Sequence, residues 1–155
     1  MGRFFRRGIS KIMFATTIAD VSAVTRLEID GAQDLSGDVA EINGFQLSNS
    51  PIPTPNLQDQ FTPQIDGEDT ASDSSLIFYD RDDDETIRTA LAKGTAGYIL
   101  LFPYGDVPTE RMEVWGVKSS GVNDEWNTGN NAARFQVDFA ITEVPDQDVA
   151  IPAAA

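Results

Sequence analysis

The 155-residue chain contains no cysteine and no histidine. Without thiols there can be no disulfides and no cysteine nucleophiles, and the redox state of the surroundings leaves no mark on the sequence. Zinc centres built on thiolate or imidazole ligands are excluded, and so is a Ser-His-Asp relay. Bases are scarce: 11 Lys plus Arg stand against 25 Asp plus Glu, a formal net charge of -14. No apolar run approaches the ~20 residues of a membrane-spanning helix. What is present suits a folded protein. The hydrophobic fraction is 41%, well above that of chains too polar to build a core. The length fits a single domain over 1–155, large enough to bury a sizeable interior.

The few bases are unevenly placed. Residues 1–11 hold four of them (Arg3, Arg6, Arg7 and Lys11) and no acid, which leaves seven bases against 25 acids in 12–155, a net charge of -18. Such a body does not grip DNA by counterion release, which needs Lys and Arg at the phosphates. It can face DNA without holding it, and acidic surfaces also keep copies soluble. Two processing signals fail in the arm. Gly2 invites N-myristoylation, but Arg6 stands where that motif needs Ser or Thr. Arg6-Arg7 resembles an export signal, but the apolar stretch Ile12–Ala15 is cut short by Thr16-Thr17. A disordered basic tail is the plain alternative. Adjacent Phe4 and Phe5 speak against it, because free aromatic side chains in water favour association. The arm residues Arg3, Phe4, Phe5, Arg6 and Arg7 are therefore expected to dock, for example on a neighbouring copy.

Hydrophobic patterning predicts a mainly β protein. Ile9–Ile18 is apolar and β-branched. Thr25–Ile29 alternates polar and apolar residues as a short strand does, with Asp30-Gly31 as a turn. In Gly37–Leu47 the alternation slips at Asn43-Gly44, where a bulge or tight bend would return Phe45 and Leu47 to the buried face. Ser74–Asp80 puts Leu76 and Phe78 on one face. Gly97–Tyr104 is apolar nearly throughout, as for a strand buried on both sides. Met112–Val122 and Ala133–Val144 complete the set. In the last of these, Phe135, Val137, Phe139 and Ile141 alternate with Arg134, Gln136, Asp138 and Ala140. Thr86–Gly94 reads as one short helix, with Ile87, Ala90 and Leu91 on one side. The sum of six or seven strands and one helix is a β-sandwich or open barrel with the helix at its flank.

Two segments carry no clear element. Residues 48–72 hold Pro51, Pro53 and Pro55 at alternate positions, then a polar run containing Phe61 and Ile65. Proline removes ladder donors, so this reads as a long loop. Phe61 and Ile65 suit a loop that orders against a partner. Residues 145–155 read as an extended tail.

Tests for chemistry return little. The acids of Asp80–Glu85 miss the EF-hand pattern, with Glu85 and Leu91 where Gly and Glu belong. Helix capping accounts for them, with an irregular calcium site left open. With 25 acids, count alone leaves open a glycosidase-like carboxylate pair. Asp69-Thr70-Ala71 departs from an aspartic-protease motif at Ala71, and no Gly-rich phosphate loop exists. Trp115 and Trp126 read as core or interface, because few bases lie near them for nucleic-acid stacking.

Several segments occur in a characteristic order. These are Arg3–Gly8, Asp34–Phe45, Ser50–Pro55, Gly67–Leu76, Ile87–Gly94, Ala132–Phe135 and Phe139–Thr142. The collinear set resembles the major tail proteins, or tail tube proteins, of long-tailed phages infecting actinobacteria. That resemblance implies a structural virion protein without enzymatic activity, cofactor or metal. It implies a tail-tube-like β-sandwich with one flanking helix, assembling in the host cytoplasm into rings, usually of six subunits. Rings would stack through the long loop (Pro51, Pro53, Pro55, Phe61, Ile65) and the extended termini. Partners would be further copies and the tape measure, terminator and distal tail proteins. Genomic DNA would pass through the lumen without tight binding, past acids such as Glu41, Glu113 and Asp138. A tail terminator, a head-tail connector ring or the inner tube of a contractile tail or injection system is the alternative.

Overall fold

A computed structural model of the protein describes residues 2–83 and 85–153. Its main sheet contains β1 (Lys11–Ala15), β2 (Gln33–Asp34), β3 (Val39–Asn43) and β6 (Ser74–Tyr79). It continues with β7 (Ala96–Phe102), β8 (Arg111–Glu125), β9 (Arg134–Ile141) and β10 (Asp146–Ala150). The strand order is β2-β1-β7-β8-β9-β6-β3, antiparallel throughout, and β10 joins β8. The end strands β2 and β3 are separated in sequence only by residues 35–38. That link bonds to both ends of the sheet: Leu35 N–H donates to the Ile12 carbonyl, and Tyr79 N–H to the Asp38 carbonyl. The sheet therefore rolls until its ends meet, giving an open barrel.

The two periodic faces fill two cores. Inward residues Phe14, Ile99, Trp115, Val117, Val137, Phe135 and Phe78 form the barrel interior. The back of β1, β7 and β8 presents Ala15, Leu100, Val114 and Met112 to a second core. Ile18, Val24, Ile29, Val149 and Ile151 close over it. The continuous apolar run in β7 thus reflects burial on both faces, as expected. In β9, Phe135, Val137 and Phe139 are buried while Arg134, Gln136 and Asp138 point the other way. The expected bend is present: Gly44 and Phe45 both have positive φ, and a Cβ on Gly44 would lie 2.3 Å from the Asp73 carbonyl. It carries Phe45 inward, edge-on to Trp115 at 5.6 Å. Leu47 is not returned to the core and stays exposed.

Four expectations are corrected. Thr25–Ile29 is not a strand: α1 spans Arg26–Asp30. Thr25 and Glu28 form a reciprocal capping box, and Leu27 is exposed while Ile29 is buried, which is helical spacing. The protein thus has two short helices, the second being α2 at Thr86–Ala90. Glu85, at its N-cap, makes no side-chain cap bond, so capping does not account for that acid. Asp84 of the same cluster lies outside the described residues.

The 48–72 segment is not a structureless loop. It folds as a hairpin of β4 (Leu47–Pro53) and β5 (Gln64–Ala71). Thr54 N–H donates to the Pro63 carbonyl, so Pro51 and Pro53 fall where a ladder needs no donor. The 145–155 tail contains β10, whose Val149 is buried, as is the following Ile151. Ala154 and Ala155 lie outside the described residues.

Candidate functional site

The strands β3, β6, β9 and the C-terminal part of β8 form a four-stranded sector with a polar outer face. Register places Glu41 beside Ile77, Ile77 beside Gln136, and Gln136 beside Asn123. A register shift between Ser119 and Gly121 keeps Val122 on the barrel side and turns Gly121, Asn123 and Glu125 outward. The face carries three acids, Glu41, Glu125 and Asp138, around one base, Arg134. Arg134 pairs with Glu125 at 3.0 Å and Glu41 at 3.7 Å. Gln136 donates to Asp138 at 2.6 Å. Both ends of this sector are free among the described residues: β3 pairs only with β6, and Gly121–Glu125 of β8 only with β9. Free ladder edges are templates for pairing with another chain.

Glu41 and Asp138 therefore share one face. Glu113 does not. It lies on the Trp115 side of β8, where it accepts from the indole N–H of Trp115 at 3.3 Å and from Gln147 at 3.4 Å. Glu125 completes the face but lies beyond Val122, where the apolar pattern of the predicted strand ends, although β8 runs on to Glu125. Only the register with β9 reveals it.

The hairpin is the second candidate surface. Every residue of β4 is exposed, and so are all of β5 except the half-buried Gly67 and Ala71. Ile52 and Ile65 lie directly opposite each other, half exposed, and Phe61 near the tip is 79% exposed. Leu57 beside it is fully exposed. The strands approach so closely that a Cβ on Gly67 would lie 1.9 Å from the Ser50 carbonyl. Asn49 ties the same point through bonds of its side chain to the Gly67 N–H and carbonyl.

The N-terminal arm lies beside the barrel. Phe4 packs on Tyr104 at 5.3 Å, Arg6 lies over the Phe4 ring and Arg7 over the Phe5 ring. Phe5 nevertheless remains 68% exposed, and Arg3 is exposed as well. Ser10 anchors the arm through its hydroxyl, which donates to the Pro103 carbonyl at 2.7 Å. Elsewhere the structure separates the two tryptophans: Trp115 is fully buried, Trp126 is 89% exposed. Around the acidic cluster, Arg88 bridges Asp80 and Asp124 and covers the Phe135 ring at 4.6 Å. Among the described residues no three carboxylates gather as cation ligands, and no helix is long and apolar enough to cross a membrane.

A rolled antiparallel sheet with free edges and a protruding hairpin is the architecture of a part built to associate. Comparison with known proteins gives that class its family. Residues 1–154 match the phage tail tube protein family, and the chain belongs to it. It is a structural component of the virion tail and not an enzyme. Among solved structures, it resembles a chain of the anti-feeding prophage (AFP) baseplate, a six-fold symmetrised reconstruction. The TM-score is 0.62 over 95% of this chain and 98% of that one, at 6% identity. No curated protein matches the chain.

Proposed function

We propose that this tail protein forms rings of six copies that stack into the tube through which genomic DNA leaves the virion. The observation that carries this reading is the four-stranded sector with its polar outer face and two free edges. Strand direction alternates across β3, β6, β9 and β8. Copies related by rotation about one axis therefore present β8 of one to β3 of the next in antiparallel sense, the pairing a hairpin sheet prefers. Closing the ring in this way removes the edges and turns Glu41, Glu125 and Asp138 to a common channel. Carboxylates there repel phosphates, so DNA slides without the counterion release that binding requires. The six-fold symmetry of the AFP reconstruction supports the ring number.

In this reading the hairpin and the arm Arg3–Arg7 bridge one ring to the next, a contact between unlike surfaces that propagates as a filament. The tube joins the tape measure, terminator and distal tail proteins, and subunits assemble in the host cytoplasm. The collinear segments described above support a phage of actinobacteria as the source. The baseplate likeness favours one second reading, a single closed ring at the end of a tail, which forms rings that never stack.

Electron microscopy of purified full-length protein tests the proposal. The expected result is rings and tubes whose end views show six subunits around an open lumen. Protein that stays monomeric at every concentration and salt condition overturns it. Removal of residues 2–7, which leaves Ser10 and β1 in place, is expected to weaken stacking and leave the melting temperature of the body unchanged.

A further inference from the structure

Beside the arm, at the seam between β1, β3 and β7, the barrel surface opens into a cavity of about 190 Å³. Its floor is apolar, formed by Ile12, Ile42 and Leu101. Ile42 is 43% exposed although its register partner Leu76 is fully buried in the barrel interior. Three bases, Arg6, Lys11 and Arg111, stand around the rim with a single acid, Glu113. This concentrates positive charge on a protein with few bases.

The hairpin has the opposite character. Residues 47–71 carry Asp59, Asp66, Glu68 and Asp69 and no base at all. Its apolar side chains Ile52, Leu57, Phe61 and Ile65 are all exposed. A lone two-stranded hairpin is marginal in water, and its stability rises when an apolar face is buried. Its charge and its apolar tip are each matched by the groove.

Resting on the stacked-ring reading, we infer that the hairpin tip of one copy inserts into this groove of a copy in the next ring, with Phe61 seated against Ile42 and Leu101. The void has the scale of one large side chain. Asp59, two residues from Phe61, then meets Arg6, Lys11 and Arg111 at the rim. Rim charges of this kind steer encounter and fix register, while the buried aromatic anchor holds the contact. This assigns the arm a second task, since Arg6 is both part of the arm and part of the groove.

The absence of native cysteine makes the test direct. Two double variants, Ile42→Cys with Phe61→Cys and Ile42→Cys with Leu57→Cys, are assembled, imaged and oxidised. The expected result is a ladder of covalent multimers on a non-reducing denaturing gel in at least one double variant. Each single variant should give no species larger than a dimer. Tubes that form normally yet give no ladder in either pair overturn the inference and leave the tube reading intact. Wild-type protein that forms neither rings nor tubes overturns both. Should the cysteines themselves disturb assembly, Ile42→Trp supplies the second readout, because it fills the groove at an exposed position. Folded Ile42→Trp protein with about tenfold weaker stacking or less supports the inference. Undiminished stacking overturns it.

Discussion

The barrel and the hairpin are both antiparallel β-structure, yet they place their side chains in opposite environments. In β6, every residue from Ser74 to Phe78 is buried, whereas every residue of β4 is exposed. The barrel satisfies itself: two faces, two cores, and a link that bonds to both sheet ends. The hairpin borrows rigidity from close backbone contact at Gly67 and from the Asn49 side chain. It holds five large apolar side chains exposed to water, Leu47, Ile52, Leu57, Phe61 and Ile65. A surface of that kind is costly for a free monomer and useful in an assembly. In the proposed assembly the buried barrel carries stability and the exposed hairpin carries ring stacking, so stacking can be broken without unfolding the barrel.

The largest effect is expected in the barrel. Trp115 is fully buried and packs against Phe45. Trp115→Ala should destabilise the fold by about 3–5 kcal/mol, read as a shift in the urea midpoint, and assembly should fail with it. A loss under about 1 kcal/mol would mean that the interior tolerates the cavity and that the barrel is less tightly determined than its burial implies. An intermediate effect is expected at Gly67. Gly67→Val cannot keep the Ser50 contact, so the hairpin should open. The barrel's midpoint should move by no more than about 0.5 kcal/mol, while tube formation is lost. Coupled loss of both would show that the hairpin supports the body.

The smallest effect concerns the capping box of α1. Backbone donation from Thr25, with a further bond from Ala19 N–H, holds the Glu28 carboxyl below its ordinary pKa of 4.5. A carboxyl with a depressed folded pKa contributes stability above its unfolded value and loses it as pH falls through the folded one. Wild-type protein should therefore lose a slight increment of stability on acidification below the 4.5 of a free glutamate. Glu28→Gln should lack that increment at neutral pH and show a flatter profile, as measured by melting temperature against pH.

Residue pattern alone determined a good deal. Period-two alternation located β9 and its buried face, and the unbroken apolar run of β7 signalled burial on both sides. The turn chemistry of Asn43-Gly44 marked the bend that aims Phe45. Helix α1 escaped because five residues satisfy both periods, and only the capping geometry separates them. The hairpin escaped because proline argues against a ladder unless its position relative to the partner strand is known. Of the three candidate acids, alternation along β9 places Asp138 on the polar face, Glu41 joins it only through the register shift in β3, and Glu113 lies on the other face.

Composition fixed what this chain does without: thiols, imidazoles and a base-rich surface. It also separated a basic arm from an acidic body, and the order of the segments resembled the family to which the match over residues 1–154 assigns the chain. Which residues stand together was settled by tertiary structure. A sequence specifies which side chains alternate, but the register shifts in β8 and β3 decide which face each alternation presents. The roll of the sheet brings Ile12, Ile42 and Leu101, distant in sequence, to one groove, and leaves an acidic hairpin outside it. Contacts of that range depend on strand pairing across the whole domain, and no local pattern encodes them.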